Sequence, residues 1–253
     1  IITSRKRALL GSLAALALIG VASGPLAINN VQAEGQSTVP VVFAQANFAD
    51  VIEAVSPAVV SIETSRSVNL ISGQGPGHQM MPPPNKAFGS GFIIDGAGYV
   101  VTNSHVIDGG EAIFVTLMDG TRLAATIVGG DAKSDLALLK VDAGGDLPAL
   151  RFGDSAAMRV GSQVVALGNP FGLGHSATVG IISAKGRDIG SGPYDDFLQI
   201  DAPINMGNSG GPLFNAKGEV IGVNTAIFSP SGGNVGIGFA IPAATAAEIV
   251  ADL

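Results

Sequence analysis

The chain has 253 residues, of which 47% are hydrophobic and 13% charged; it has no cysteine and a formal charge of −7. That balance excludes a disordered chain and provides enough apolar surface for one large β domain or two small ones. The negative charge argues against a nucleic-acid function, and the lack of Cys excludes a disulfide framework and thiolate metal sites.

Residues 1–33 read as an export signal. Arg5-Lys6-Arg7 forms a basic start, Ala8 to Ala22 is an uncharged apolar stretch, and Val31-Gln32-Ala33 gives a small-x-small cleavage pattern. A second such pattern, Ala44-Gln45-Ala46, lies further from the apolar stretch. The rival is an uncleaved anchor tying the chain to the membrane surface, but Ser23-Gly24-Pro25 interrupts the run short of the ~20 residues that span a bilayer. Cleavage after Ala33 removes three basic residues and no acid, leaving 10 basic against 20 acidic residues and a charge of −10.

Residues 34–46 are expected to form an extended arm. Phe48, Val51, Ile52 and Val55 have helical spacing, with Asn47 as N-cap and Pro57 as the stop. Short β-rich runs separated by Gly, Asn and Asp turns follow. The predicted strands are 58–63, 91–94, 99–102, 112–117, 122–128, 136–141, 163–167, 177–182, 198–200, 212–214, 220–224 and 236–240. A dozen strands at this spacing favour barrels or sandwiches over βαβ units. Residues 72–87 and 188–196 interrupt the rhythm as loops, and a division near Leu147–Phe152 separates two halves without a strong sequence repeat. From Pro242 to Leu253 the pattern turns helical.

Chemistry concentrates in Gly207-Asn208-Ser209-Gly210-Gly211-Pro212, where one hydroxyl is framed by three glycines. Glycine permits the backbone angles and close approach needed to aim a Ser Oγ and nearby N–H groups at one carbonyl. A glycine-rich turn alone would explain the run as well, so its meaning depends on a base and an acid elsewhere. Of three histidines, His78 and His175 fall in predicted loops, whereas His105 follows the apolar strand Tyr99–Thr102. A rigid strand end is where a catalytic imidazole should be mounted. Asp135 opens the apolar run Leu136–Val141, where a carboxylate is expected to be partly buried and hydrogen-bonded. Its nearest rival, Asp131, neighbours Gly129-Gly130 and reads as a turn residue, as do Asp108 and Asp119.

The order His105, Asp135, Ser209 separates two readings of the same motif. Gly207–Gly211 also fits G-x-S-x-G, the α/β-hydrolase nucleophile elbow, but no His follows Ser209 and Pro212 begins a β run. The order is that of the two-barrel, chymotrypsin-like arrangement.

From Asn47 to Leu253 the sequence resembles the HtrA/Deg family of chymotrypsin-fold serine endopeptidases. The matching blocks are Gly89-Ser90-Gly91-Phe92-Ile93-Ile94, Thr102–Val106, Ser134–Ala137, Gly168–Gly172, Asn205–Pro212, Gly222–Ile227 and Gly236–Pro242. The resemblance implies an all-β fold of two six-stranded antiparallel barrels with short N- and C-terminal helices. It divides the chain into a first barrel at 47–150, a second at 151–241 and a closing helix at 242–253. It further implies a triad of His105, Asp135 and Ser209, and an oxyanion hole from the N–H groups of Gly207 and Ser209. Substrate would lie along Thr225, Ala226, Ile227, Phe228 and Ser229 and contact Gly207 and Asn208, with Ile204, Ile227 and Phe228 around the primary pocket. Phe228 is bulky for that position, so the pocket is expected to be shallow.

The activity implied is degradation of unfolded polypeptides in the periplasm by a homotrimer held through residues around Val41 to Phe48. No metal or organic cofactor is expected. Family members usually carry PDZ domains after the protease, and none is read in the sequence to Leu253. The alternative reading is a binding protein for unfolded chains with silent or conditional catalysis, because the Gly-rich loops near the site need support to stay ordered.

Overall fold

The computed structural model describes residues 47–66, 86–169, 174–192, 194–205, 207–230 and 233–253. The export signal, the arm, the second cleavage pattern, His78 and most of the predicted 72–87 loop lie outside them. Among the described residues no helix is long and apolar enough to cross a membrane.

Helix α1 (Phe48–Val55) starts at Asn47, whose side chain accepts from the Ala49 N–H at 3.1 Å, satisfying one of the unpaired donors of the first turn. A 3₁₀ turn over Ser56–Ala58 carries Pro57 and leads into the first barrel. Its strands are β1 (Val59–Ser65), β2 (Lys86–Asp95), β3 (Tyr99–Thr102), β4 (Ala112–Thr116), β5 (Arg122–Asp131) and β6 (Leu136–Val141), with helix α2 (Ser104–Ile107) after β3. The second barrel contains β7 (Gln163–Gly168), β8 (Ser176–Arg187), β9 (Phe197–Ile200), β10 (Pro212–Phe214), β11 (Val220–Ile227) and β12 (Gly238–Pro242), followed by α3 (Ala243–Asp252).

Both barrels are closed, in the orders β1-β2-β3-β6-β5-β4 and β7-β8-β9-β12-β11-β10. The two orders are the same topology used twice, although the halves share no strong sequence repeat. All twelve predicted strands are present, most of them longer than their apolar runs. Lys86 and Ala87, expected in a loop, belong to β2 and pair with Ser65 and Thr64. Pro242, expected in the first helical turn, ends β12 with an extended ψ of 142° and stands before α3.

The two-residue period of a strand explains where the core sits. On β7, Val164 and Ala166 enter a cluster confined to the second barrel, while Val165 and Leu167 enter a larger cluster shared with the first. On β12 Ala240 faces the inner cluster, whereas Phe239 and Ile241 face the shared one. The strands beside the barrel junction are therefore buried on both faces, so they read as unbroken apolar runs. Helix α3 packs on β11 and β12 and reaches β6, burying Ala243, Ala246 and Val250. Its end sets Leu253 directly over Gly129 of β5, where a Cβ would come within 3.0 Å of the leucine. The helix thus ties the second barrel to the first.

Candidate active site

Three segments converge at the barrel junction: the short helix after β3, the turn before β6, and the glycine-framed turn before β10. His105 stands one residue inside α2 rather than at a strand end. Asp135 stands in the turn before β6, immediately ahead of the strand predicted at 136–141. With φ of 57° it is the one non-glycine residue in the left-handed region among the described residues. Asp tolerates that conformation better than most residues because its short polar side chain can bond locally.

That backbone conformation has a clear use. The Asp135 carbonyl accepts from Asn103 Nδ2 at 2.8 Å and from the Ser104 N–H at 3.1 Å, while its carboxylate accepts from the His105 N–H at 3.0 Å. The two main-chain donors, of Ser104 and His105, open α2 and would otherwise lack partners. Asp135 therefore caps the helix that carries the imidazole and bonds to the imidazole itself. His105 Nδ1 lies 2.9 Å from Oδ1 and 2.8 Å from Oδ2, and Thr225 Oγ1 donates to Oδ2 at 2.6 Å. Burial pushes the Asp135 carboxyl up, but the His105 ring, the Thr225 hydroxyl and the His105 N–H outweigh it, and the group lies below the ordinary Asp value. Asp131, the rival acid, ends β5 and accepts from the Lys133 and Ser134 N–H groups, shaping the turn that presents Asp135.

Ser209 is half-buried on the other side of the junction, with Gly207 and Asn208 buried beside it. Its hydroxyl donates to the Thr225 carbonyl at 3.3 Å rather than to His105. The turn before it closes with the Asn208 N–H donating to the Asn205 carbonyl at 3.1 Å, and Gly207 has φ of 99°. A positive φ at the third position of a turn favours glycine there. Gly210, with φ of 82°, has no room for a side chain: a Cβ would strike the Ser90 carbonyl and Thr102 Oγ1. Among the described residues the Ser209 N–H has no hydrogen-bond partner.

The flanking strand is β11. Its residues up to Val223 pair with β10, and Asn224 exchanges bonds with Gly210 and Gly211. Beyond that, among the described residues, Ala226 and Ile227 pair with β12 alone, so the other edge of this stretch is open. Ile204 is buried in the second barrel's cluster and Ile227 packs against it. Phe228 does not join them: it is 58% exposed, and its N–H donates to the Ile237 carbonyl. The Ser229 hydroxyl donates to the Gly233 carbonyl at 2.6 Å. A cleft of about 330 Å³ adjoins the His105–Asp135 hydrogen bond, lined by these two residues, Tyr194, Phe197, Thr225 and Ala226 among others.

His175, expected in a surface loop, is half-buried with Nε2 2.9 Å from the Val59 carbonyl of the first barrel. Sequence reading did not find the contacts of Thr225 and Asn103 with Asp135. A hydroxyl or amide on an apolar strand end was the available signal, but it does not name its partner.

Residues 89–223 match the model of the trypsin-like peptidase domain, just over half the chain. The chain belongs to the trypsin-like peptidases, in their HtrA/Deg branch. A "probable periplasmic serine endoprotease DegP-like" of Brucella suis biovar 1 is 47% identical over 284 aligned positions, covering 95% of this chain and 55% of that protein. Its namesake in Bartonella henselae is 49% identical over 83% of this chain and 48% of its own length. The chain thus spans about half the length of these curated relatives. Among solved structures, the HtrA-type protease AlgW with a tripeptide superposes with a TM-score of 0.71 at 43% identity, covering 81% of this chain and 62% of AlgW. The family's two-barrel fold is the one described above.

Proposed function

We propose that this chain is the proteolytic part of a serine endopeptidase acting on unfolded polypeptides in the periplasm. The observation that carries the reading is the bidentate approach of His105 Nδ1 to Asp135 across from the glycine-framed Ser209. With Nδ1–H held by the carboxylate, Nε2 is left as the acceptor. Ser209 Oγ turns from the Thr225 carbonyl, gives its proton to His105 Nε2 and bonds to the scissile carbonyl carbon. The carbonyl oxygen becomes an oxyanion held by the Gly207 and Ser209 N–H groups. Collapse expels the amine, which takes the proton from His105. Water then repeats the sequence on the acyl-enzyme and releases the acid.

The open edge of β11 at Ala226 and Ile227 supports docking of substrate as an added antiparallel strand. Ile204 and Ile227 form the apolar wall of the primary pocket, which favours small aliphatic side chains. The exposed Phe228 flanks the docked chain instead of closing the pocket. The periplasmic setting follows the names of the relatives and the basic-apolar start of the sequence. A homotrimer is the proposed assembly, to be tested by sedimentation.

The deciding experiment is labelling with a fluorophosphonate, followed by degradation of an unfolded protein such as reduced casein. Wild type should be acylated on Ser209 and degrade casein; Ser209→Ala should do neither, with a loss on the order of 10⁶ in turnover. Unlabelled wild type that still binds casein would establish the binding-only reading in place of the protease.

A further inference from the structure

Ser90 lies on β2 in the first barrel, fully buried, and no step of the acyl-enzyme cycle uses it. Its bonds nevertheless go to the nucleophile's turn in the second barrel. The Ser90 N–H donates to the Ser209 carbonyl at 2.9 Å, and Ser90 Oγ donates to the Gly207 carbonyl at 2.5 Å. Oγ in turn accepts from the Asn169 N–H at 2.8 Å, and Thr102 Oγ1 donates to the Ser90 carbonyl at 2.7 Å. Every polar group of this residue is engaged.

The pattern of these bonds along the turn is the informative part. The peptide unit joining Gly207 to Asn208 is held at both ends: its carbonyl by Ser90 Oγ and its N–H by the Asn205 carbonyl. The unit joining Ser209 to Gly210 is likewise held, its carbonyl by the Ser90 N–H and its N–H by the Asn224 carbonyl at 2.7 Å. Between these fixed planes lies the unit whose N–H belongs to Ser209, the donor without a partner among the described residues. Fixing the planes on either side leaves little freedom to the unit between them. One residue of the opposite barrel thus clamps both neighbours of an oxyanion donor.

We propose that Ser90 is a positioning residue for the oxyanion hole, holding the Gly207–Ser209 turn in its productive form from across the barrel junction. The inference rests on the proposed protease function. Loss of the hydroxyl leaves the buried Gly207 carbonyl and Asn169 N–H without their partners, and an unpaired buried group drives local rearrangement. Such a rearrangement would take the Gly207 and Ser209 N–H groups out of line with the developing oxyanion. Substrate docking on β11 does not involve Ser90, so binding should survive where turnover does not.

The test compares wild type, Ser90→Ala and Ser90→Thr. It uses fluorophosphonate labelling rates, kcat and KM on a chromogenic peptide, and cooperative thermal unfolding. Ser90→Ala should label and turn over about 10²- to 10³-fold more slowly with KM within about threefold of wild type, the scale of losing one oxyanion donor. Ser90→Thr, which keeps the hydroxyl, should recover most of the rate. A folded Ser90→Ala that labels within twofold of wild type overturns the role of Ser90 and leaves the protease reading intact. Wild type that does not label overturns both. Amide exchange on the wild type needs no variant: Asn208 and Gly210 should be protected and Ser209 should exchange fast, and a protected Ser209 amide overturns the proposal even if Ser90→Ala does not fold.

Discussion

Thr225 Oγ1 and Asp135 Oδ2 are 2.6 Å apart, a hydrogen bond between the two barrels across the junction that holds the site. The same residue's carbonyl accepts from Ser209 Oγ, so Thr225 touches the acid with one group and the nucleophile with another. Asp135 thereby has a second anchor besides His105.

Thr225→Val should therefore reduce turnover without unfolding the protein. A hydrogen bond to a charged group contributes about 1.5–3 kcal/mol, which corresponds to roughly a 10- to 100-fold loss in kcat. Thr225→Ser should restore most of it. Peptide hydrolysis by the three proteins checks this, and equal rates would remove Thr225 from the positioning of Asp135.

Asp135→Asn keeps the left-handed turn, because Asn tolerates positive φ as Asp does. Turnover should fall by on the order of 10⁴, since Asn cannot hold the required imidazole tautomer. The stability effect has a definite sign. The folded Asp135 carboxyl lies below its ordinary value, so its contribution is present above the usual carboxylate range and fades as pH falls toward the folded value. Urea unfolding at pH 6 and pH 3 should show the gap between wild type and Asp135→Asn narrowing in acid. A gap independent of pH would contradict the assignment of Asp135 as the stabilised carboxylate.

Gly207→Ala should spare folding and cut kcat. The residue holds φ of 99°, which a Cβ disfavours, and the turn is expected to move to a form that withdraws one oxyanion donor. Loss of one such donor lowers kcat by roughly 10²- to 10³-fold. Burst kinetics with a p-nitrophenyl ester would read this, and an unchanged acylation rate would show that the turn keeps its form with a Cβ at position 207.

Gly210→Ala and Gly144→Ala separate space from backbone angle. Both glycines have positive φ, at 82° and 71°, but a Cβ at 144 meets nothing within 4 Å, whereas one at 210 strikes Ser90 and Thr102 and lies 2.9 Å from the Asn103 nitrogen. Gly144→Ala should cost only about 1–2 kcal/mol, the left-handed penalty. Gly210→Ala adds overpacking, typically 1–3 kcal/mol more. Thermal melts should show the larger drop in Tm for Gly210→Ala; the reverse order would refute the crowding.

The strands were legible because each carries its own signal: period-two burial on the outer strands and unbroken apolar runs at the junction. The short Leu136–Val141 and Pro212–Phe214 runs were placed with their observed bounds because turn residues close both ends. Lys86 and Ala87 were misread because pairing with β1, not local composition, recruits them to β2. The site was legible as a set of residue types and an order. Its support was not, since Ser90, Asn103 and Thr225 act through bonds spanning 117, 32 and 90 residues in sequence. Likewise, no local pattern foretold that Asp135 would cap a helix begun more than thirty residues earlier.

The open side of β11 at Ala226 and Ile227 bears on which proteins would be cut. On the docking proposed above, this edge recognises a polypeptide by its unspent backbone donors and acceptors. A strand inside a folded sheet has already committed those groups to its neighbours and has none to offer. Discrimination between intact and damaged protein then requires no particular residue in the target: a chain becomes eligible when its own fold releases a few consecutive peptide groups.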